Sequence, residues 1–157
     1  MSIEENKAIV REVTEAENHR DLTVIEKVIS PSYINQSNQI KGPEGYKQFL
    51  NKLFKAFPSW HETIEDMVAE GDKVCVQLTI DTGTHTGEFD LLGIRVPPTG
   101  KKSTIKSIQI WHIVDGKVLE TEGIYDELDL LIQVGLIEPK GEGKKLFPQE
   151  KNNSLYG

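Results

Sequence analysis

The chain has one cysteine, Cys75. That excludes an internal disulfide and a zinc site built from thiolates. Histidine is also scarce. None of His19, His61, His85 and His112 stands at His-x-x-x-His spacing, so no metal site is expected. Basic residues number 18 against 25 acidic ones, for a net charge of −7. Phosphate binding needs a basic patch, and the runs Lys101-Lys102 and Lys144-Lys145 are too short to make one, which argues against nucleic acid. No apolar run approaches the ~18 residues of a membrane span, and residues 1–20 lack the apolar core of a signal sequence. A cytoplasmic location is therefore expected, with no membrane partner.

What is present suits one soluble globular domain of 157 residues, 37% hydrophobic and 27% charged. Ser2 followed by Glu5 forms a capping-box pattern. Ile9, Val10, Val13 and Ala16 then recur at helical spacing to about Arg20. Asp21 can cap a second short helix with Leu22, Ile25, Val28 and Ile29 inside, which Ser30-Pro31 stops. Tyr33 to Gln36 reads as a short extended piece. Gly42-Pro43 opens a third helix with Tyr46, Phe49, Leu50, Leu53, Phe54 and Phe57 as its apolar stripe, ended by Pro58. Trp60 to Glu70 reads as a strand, and Lys73 to Thr82 alternates with Val74, Val76, Leu78 and Ile80 on one face. A strand continuation is expected near His85 to Phe89, then a loop over 92–100. A last helix is expected from about Glu127 to Val134, closed by Gly135.

The chain is organised around residues 101–135, two strands and a helix. Asp115-Gly116 is a two-residue hairpin turn, since both positions need positive φ. A regular hairpin would then set Ile113 against Val118, Trp111 against Glu120 and Gln109 against Glu122. Ser107, Gln109 and Trp111 would share a face with Glu120, Glu122, Ile124 and Asp126, a mixture suited to a pocket floor. His112 would lie on the opposite face.

GPEGYKQFL from Gly42, AFPSW from Ala56, AEGDKV from Ala69, TGTHTGEF from Thr82, PPTGK from Pro97, DGKVLE from Asp115 and YDELDLLIQVGL from Tyr125 are similar, in order and spacing, to the SnoaL-like polyketide (ester) cyclase family of the nuclear transport factor two-like superfamily. The resemblance covers roughly Glu5 to Ile137. It implies an α+β fold: a curved antiparallel sheet wrapped around N-terminal helices, a cone-shaped barrel with an internal pocket, over residues 1–138. Residues 139–157 would form an extended or disordered tail, with Leu146, Phe147, Leu155 and Tyr156 as anchors. It also implies a homodimer through the sheet, with Ile108, Ile110 and Leu119 as an outer apolar strip.

The activity implied is an intramolecular aldol closure on a small hydrophobic carbonyl compound, polycyclic ones included, with no cofactor and no metal. Asp126 matches the family's acid/base carboxylate. Its other reading is a helix N-cap, and the two roles are compatible. Glu122 stands where the family commonly has tryptophan. It is either a second inward carboxylate, raising its neighbour's pKa, or a solvated edge residue. Gln109 can donate to a substrate carbonyl or enolate oxygen, and Trp111 can stack on a flat ring; the plain alternatives are an exposed strand glutamine and a core tryptophan. Asn35 lies, with Gln36, where members often carry a histidine-containing pair. His85 lies in a well-matched motif but reads equally as a surface or strand-end residue. Pro97 to Gly100 would border the pocket mouth, and Leu91, Leu92 and Ile94 would make a lid, a dimer contact or core.

Three functions compete. A cyclase predicts that Asp126→Asn loses turnover. A hydrolase or isomerase, opening an epoxide with activated water, needs Asn35, Gln109, Glu122 and Asp126 to converge. A non-catalytic binding module predicts that Asp126 and Glu122 are solvated.

Overall fold

The computed structural model describes residues 1–91 and 93–147. Helix α1 spans Ile3–Asn18 and starts on the expected capping box: Glu5 N–H donates to Ser2 Oγ at 3.2 Å and Ser2 N–H to Glu5 Oε2 at 2.6 Å. Its buried stripe is Ile9, Val10, Val13, Ala16 and also Glu17. Arg20, at φ 61°, turns the chain into α2 (Thr23–Val28), where Asp21 accepts from the Thr23 N–H and hydroxyl. Strand β1 (Ile29–Asn35) follows, longer than the short piece expected. Helix α3 (Gly42–Ala56) has Pro43 in its first turn and buries Tyr46, Leu50 and Leu53.

Strands β2 (His61–Glu70), β3 (Lys73–Thr84), β6 (Lys102–Val114) and β7 (Lys117–Tyr125) complete one five-stranded sheet in the order β1-β7-β6-β3-β2. The sheet is open and mixed rather than closed and antiparallel, because β1 runs parallel to β7. β1 and β7 stand far apart in the chain, so their parallel pairing needs no tight turn, and the sheet's two edges are β1 and β2. Between β3 and β6 the chain forms a separate small hairpin, β4 (Phe89–Leu91) with β5 (Ile94–Val96), so the expected loop contains a strand. Leu92 lies outside the described residues. Helix α4 (Glu127–Gln133) packs beside β6, its Gln133 bridging the Thr104 N–H and carbonyl. Of the expected tail, residues 139–147 include a helical turn, α5 (Gly143–Leu146). Residues 148–157, with the proposed anchors Leu155 and Tyr156, lie outside the described residues.

The inner face of the sheet carries Val74, Val76, Leu78 and Ile80 from β3, as their alternation predicts, and Ile105, Trp111 and Ile113 from β6. Against it lie Val10 and Val13 of α1 and Leu50 and Leu53 of α3. Full burial of each such aliphatic chain contributes about 1.5–3 kcal/mol, so this layer between helices and sheet is the main source of stability.

The hairpin differs from expectation at one point. Asp115 (φ 49°) and Gly116 (φ 76°) form the turn, and Ile113 pairs with Val118 as expected. His112 then pairs with Glu120 instead of Leu119, so Leu119 is an extra residue in β7. This bulge reverses every later side chain of the strand. Thr121, Gly123 and Tyr125 now share the inner face with Trp111, Gln109 and Ser107, while Glu120, Glu122 and Ile124 face out with His112, Ile110 and Ile108. A regular strand would have sunk Glu120 and Glu122 beside a tryptophan, at a desolvation cost the bulge avoids. It substitutes Thr121, whose Oγ1 lies 2.6 Å from the buried Tyr33 hydroxyl.

Candidate functional site

Gln109 and Trp111 are brought together inside. They are 8% and 4% exposed. Trp111 Nε1 donates to Gln109 Oε1 at 3.0 Å, and Gln109 Nε2 donates to the Tyr125 hydroxyl at 3.1 Å and to Ser107 Oγ at 3.3 Å. The residue opposite Gln109 is Gly123. A Cβ there would stand 3.0 Å from Gln109 Cγ and 3.3 Å from the Tyr125 ring, so its missing side chain is what lets the amide and phenol meet. Burial drives the Tyr125 phenol well above its ordinary pKa, keeping it a neutral hydroxyl that can donate.

The same interior holds a second polar group that the sequence reading missed. Tyr46 of α3 donates its hydroxyl to Glu17 Oε1 of α1 at 2.5 Å. Its ring meets the Tyr33 ring edge-on, centroids 5.4 Å apart. Glu62, the second residue of β2, receives Trp60 Nε1 at 3.0 Å. Asn18 clamps the backbone of Glu62 from both sides: Nδ2 donates to its carbonyl and Oδ1 accepts its N–H, each at 2.8 Å. Arg20 locks the same corner by donating to the carbonyls of Glu17, Pro58 and Trp60, its guanidinium 3.9 Å from the Phe54 ring centre. Desolvation, then the nearby Glu62 charge, raise the Glu17 pKa well above the ordinary glutamate value; Tyr46 and Arg20 oppose this. Desolvation also raises Glu62. Tyr46 is pushed up strongly, and Tyr33 to about 12, chiefly by burial.

The other expected site residues do not join this interior. Asp126 is exposed at the end of β7, and its Oδ1 accepts the Asp129 N–H at 3.1 Å, the capping geometry. Glu122 is exposed on the outer face beside Ile110 because of the bulge. Asn35 turns its Oδ1 back onto the N–H groups of Ser37 and Asn38, holding the loop after β1. His85, instead of lying at the surface, is 2% exposed and stacked on Phe57, centroids 4.7 Å apart. Its Nδ1 lies 3.2 Å from Thr99 Oγ1, and Leu130 of α4 and Val134, which caps that helix, line an apolar cavity beside it. Burial lowers its pKa, so this imidazole is neutral near pH 7. His112, as expected, is on the outer face, 2.6 Å from Asp72. The four polar residues that epoxide opening requires therefore do not converge.

The SnoaL-like polyketide cyclase family model matches residues 7–134. The chain belongs to this family. Aklanonic acid methyl ester cyclase DauD from Streptomyces sp. (strain C5) is 25% identical to this SnoaL-like chain over 126 residues, 80% of it and 75% of DauD. AclR from Streptomyces galilaeus, a proposed hydroxylase, is 30% identical, with TM-score 0.73 over 87% of this chain and all of that one. TsrD from Streptomyces laurentii, at 24% identity, shares the fold with TM-score 0.77, covering 87% of this chain and 99% of TsrD. These neighbours establish the cone-shaped α+β architecture. Among the described residues, no helix of this SnoaL-like protein is long and apolar enough to cross a membrane.

Proposed function

We propose that this SnoaL-like protein is a cyclase-type enzyme that closes a ring in a small hydrophobic carbonyl compound by cofactor-independent acid/base chemistry. The observation that carries the reading is the buried Ser107–Gln109–Trp111–Tyr125 network on the inner face of the sheet. A buried amide donor beside an indole wall is matched to a flat substrate bearing a carbonyl: Gln109 Nε2 leaves Tyr125 for the carbonyl oxygen and stabilises charge as an enolate forms. The delocalised enolate needs no further electron sink. Proton transfer falls to interior groups, because Asp126 is exposed to solvent and takes no part in this network. The relative DauD, named for a cyclase reaction on aklanonic acid methyl ester, supplies the first substrate to try.

The test combines thermal shift with turnover. Polycyclic ketones and esters, aklanonic acid methyl ester among them, should raise the melting temperature of the wild type by mass action. Gln109→Leu should abolish the shift. No shift with any of these compounds overturns the reading.

A second reading, a ligand-binding module without turnover, is favoured by one observation: Glu122 and Asp126 are both solvated. Binding of the same compounds with no ring closure by the wild type selects it. In either case we expect a cytoplasmic homodimer formed through the outer sheet face, where Ile108, Ile110 and Ile124 are 53%, 47% and 79% exposed. Leu119, once assigned to that strip, is the bulged residue and is only partly exposed. Sedimentation at the mass of one chain removes the dimer.

A further inference from the structure

We propose that Glu17 and Glu62 form a carboxyl pair that holds one exchangeable proton and serves as the acid/base couple of the interior. This rests on the cyclase reading above and names its proton carriers. Each carboxylate has one aromatic donor on Oε1, Tyr46 for Glu17 and Trp60 for Glu62. Neither has an ion-pair partner among the described residues, because the nearby Arg20 directs its N–H groups to backbone carbonyls. Glu17 is 6% exposed, and the donor it receives is the neutral Tyr46 hydroxyl rather than a cation. A carboxyl buried in this way favours its protonated form. Glu62 is more exposed than Glu17, so the pair connects the interior to bulk water on one side.

A pair kept only for stability would be costly here. Two like charges in a desolvated corner repel, and the pair can stay only by keeping a proton. The groups facing Glu17 are Tyr46 from α3, Tyr33 from β1, Glu62 from β2, Tyr125 from β7 and Arg20 after its own helix. All three tyrosines are neutral, so the proton resides on the carboxyls. Contacts tie the pair to the Gln109 network: Tyr46, bonded to Glu17, meets the Tyr33 ring edge-on, the Tyr33 hydroxyl bonds Thr121, and Thr121 pairs with Trp111.

The chemistry balances without a co-reactant. The ionised carboxylate takes a proton from the carbon beside a substrate carbonyl, and the C–H electrons pass into the enolate. The enolate carbon attacks a second carbonyl carbon of the same molecule, forming the new C–C bond and an alkoxide. The pair, then carrying two protons, returns one to the alkoxide. The substrate is isomerised and the pair is restored.

Two measurements test this separately from the cyclase reading. In the first, glutamate side-chain carboxyls are labelled with carbon-13 and titrated by NMR. One carboxyl of the pair should remain protonated well above the ordinary glutamate range, and Glu62→Gln should move the Glu17 titration to lower pH. Two ordinary titrations, or a Glu17 curve unmoved by Glu62→Gln, overturn the pair whatever the enzyme does. In the second, aklanonic acid methyl ester is the probe. Glu17→Gln and Glu62→Gln, both checked for folding by thermal melts, should each lose about a hundredfold or more in kcat with KM little changed. Their pH–rate profiles should lose one limb. Tyr46→Phe, which keeps the packing, should shift that limb upward, since the hydrogen bond it removes favours the ionised Glu17. Folded Gln variants with wild-type kcat and an intact profile overturn the proposal.

Discussion

The molecule carries two pairs of carboxylates, and they are opposites. Glu122 and Asp126 sit close in sequence, at the end of one strand, and both are solvated. Glu17 and Glu62 are far apart in sequence, on a helix and a strand, and share one desolvated corner. Position in a familiar motif pointed to the first pair. Burial and hydrogen bonding point to the second. Chemical potential in a side chain is conferred by its surroundings: the β7 bulge keeps Glu122 outside, while Tyr46, Trp60 and Asn18 hold the other pair within.

The comparison can be broken most violently by Trp111→Ala: it removes a 4%-exposed indole and the donor to Gln109, and should cost about 3–5 kcal/mol in chemical denaturation. Deleting Leu119 should do much less, because Glu120 then follows Val118 opposite His112 and Thr121, Gly123 and Tyr125 stay inward. Loss of cooperative unfolding in that variant, followed by circular dichroism in urea, would show that the bulge itself is required.

The interior pair also makes a pH prediction whose sign is opposite to that of a salt-bridged acid. The folded-state pKa values of Glu17 and Glu62 lie above the ordinary 4.5. Between that value and the raised ones the native state holds more protons than the unfolded state. Stability is therefore complete below about pH 4.5 with respect to these groups and declines as pH rises towards the folded values, by at most about 1.4 kcal/mol per pH unit for each proton. Urea titrations from pH 4 to 8 should show this slope, and Glu17→Gln should flatten it. A slope unchanged by that substitution would make the interior pair as ordinary as the exterior one.

The exterior pair should respond weakly. Asp126→Ala should cost about 1 kcal/mol through loss of the cap on α4, while Asp126→Asn keeps both cap and turnover. Loss of turnover in Asp126→Asn would return the chemistry to the outer face. Glu122→Ala should change stability by no more than about 0.5 kcal/mol.

Much of this architecture is written in periodicity. The capping box, the Pro43 helix start, the β3 alternation and the Asp115-Gly116 turn all appear where local rules put them, because each depends on neighbours in sequence. The β7 bulge does not, since its benefit arises only when Tyr33 from β1 meets Thr121. Glu17 and Glu62 were nonetheless visible. Glu17 extends the stripe Ile9-Val10-Val13-Ala16 by one position, and Glu62 alternates with Trp60 and Ile64 on the apolar face of β2. A charged residue in register with a hydrophobic stripe is the signal, and the motif at the other end of the chain drew attention from it.

The bulge has a consequence for descent as well as for stability. A sequence alignment treats the loss or gain of one residue in a strand as a gap to be slid to the nearest loop. In this strand the bulge absorbs the extra residue: with or without Leu119, Glu120 stands opposite His112, and Thr121, Gly123 and Tyr125 stay inward. One indel can thus pass through the strand without changing which residues line the interior. A gap placed anywhere but at Leu119 would set a relative's inward residues against this chain's outward ones, and make two like interiors look unlike.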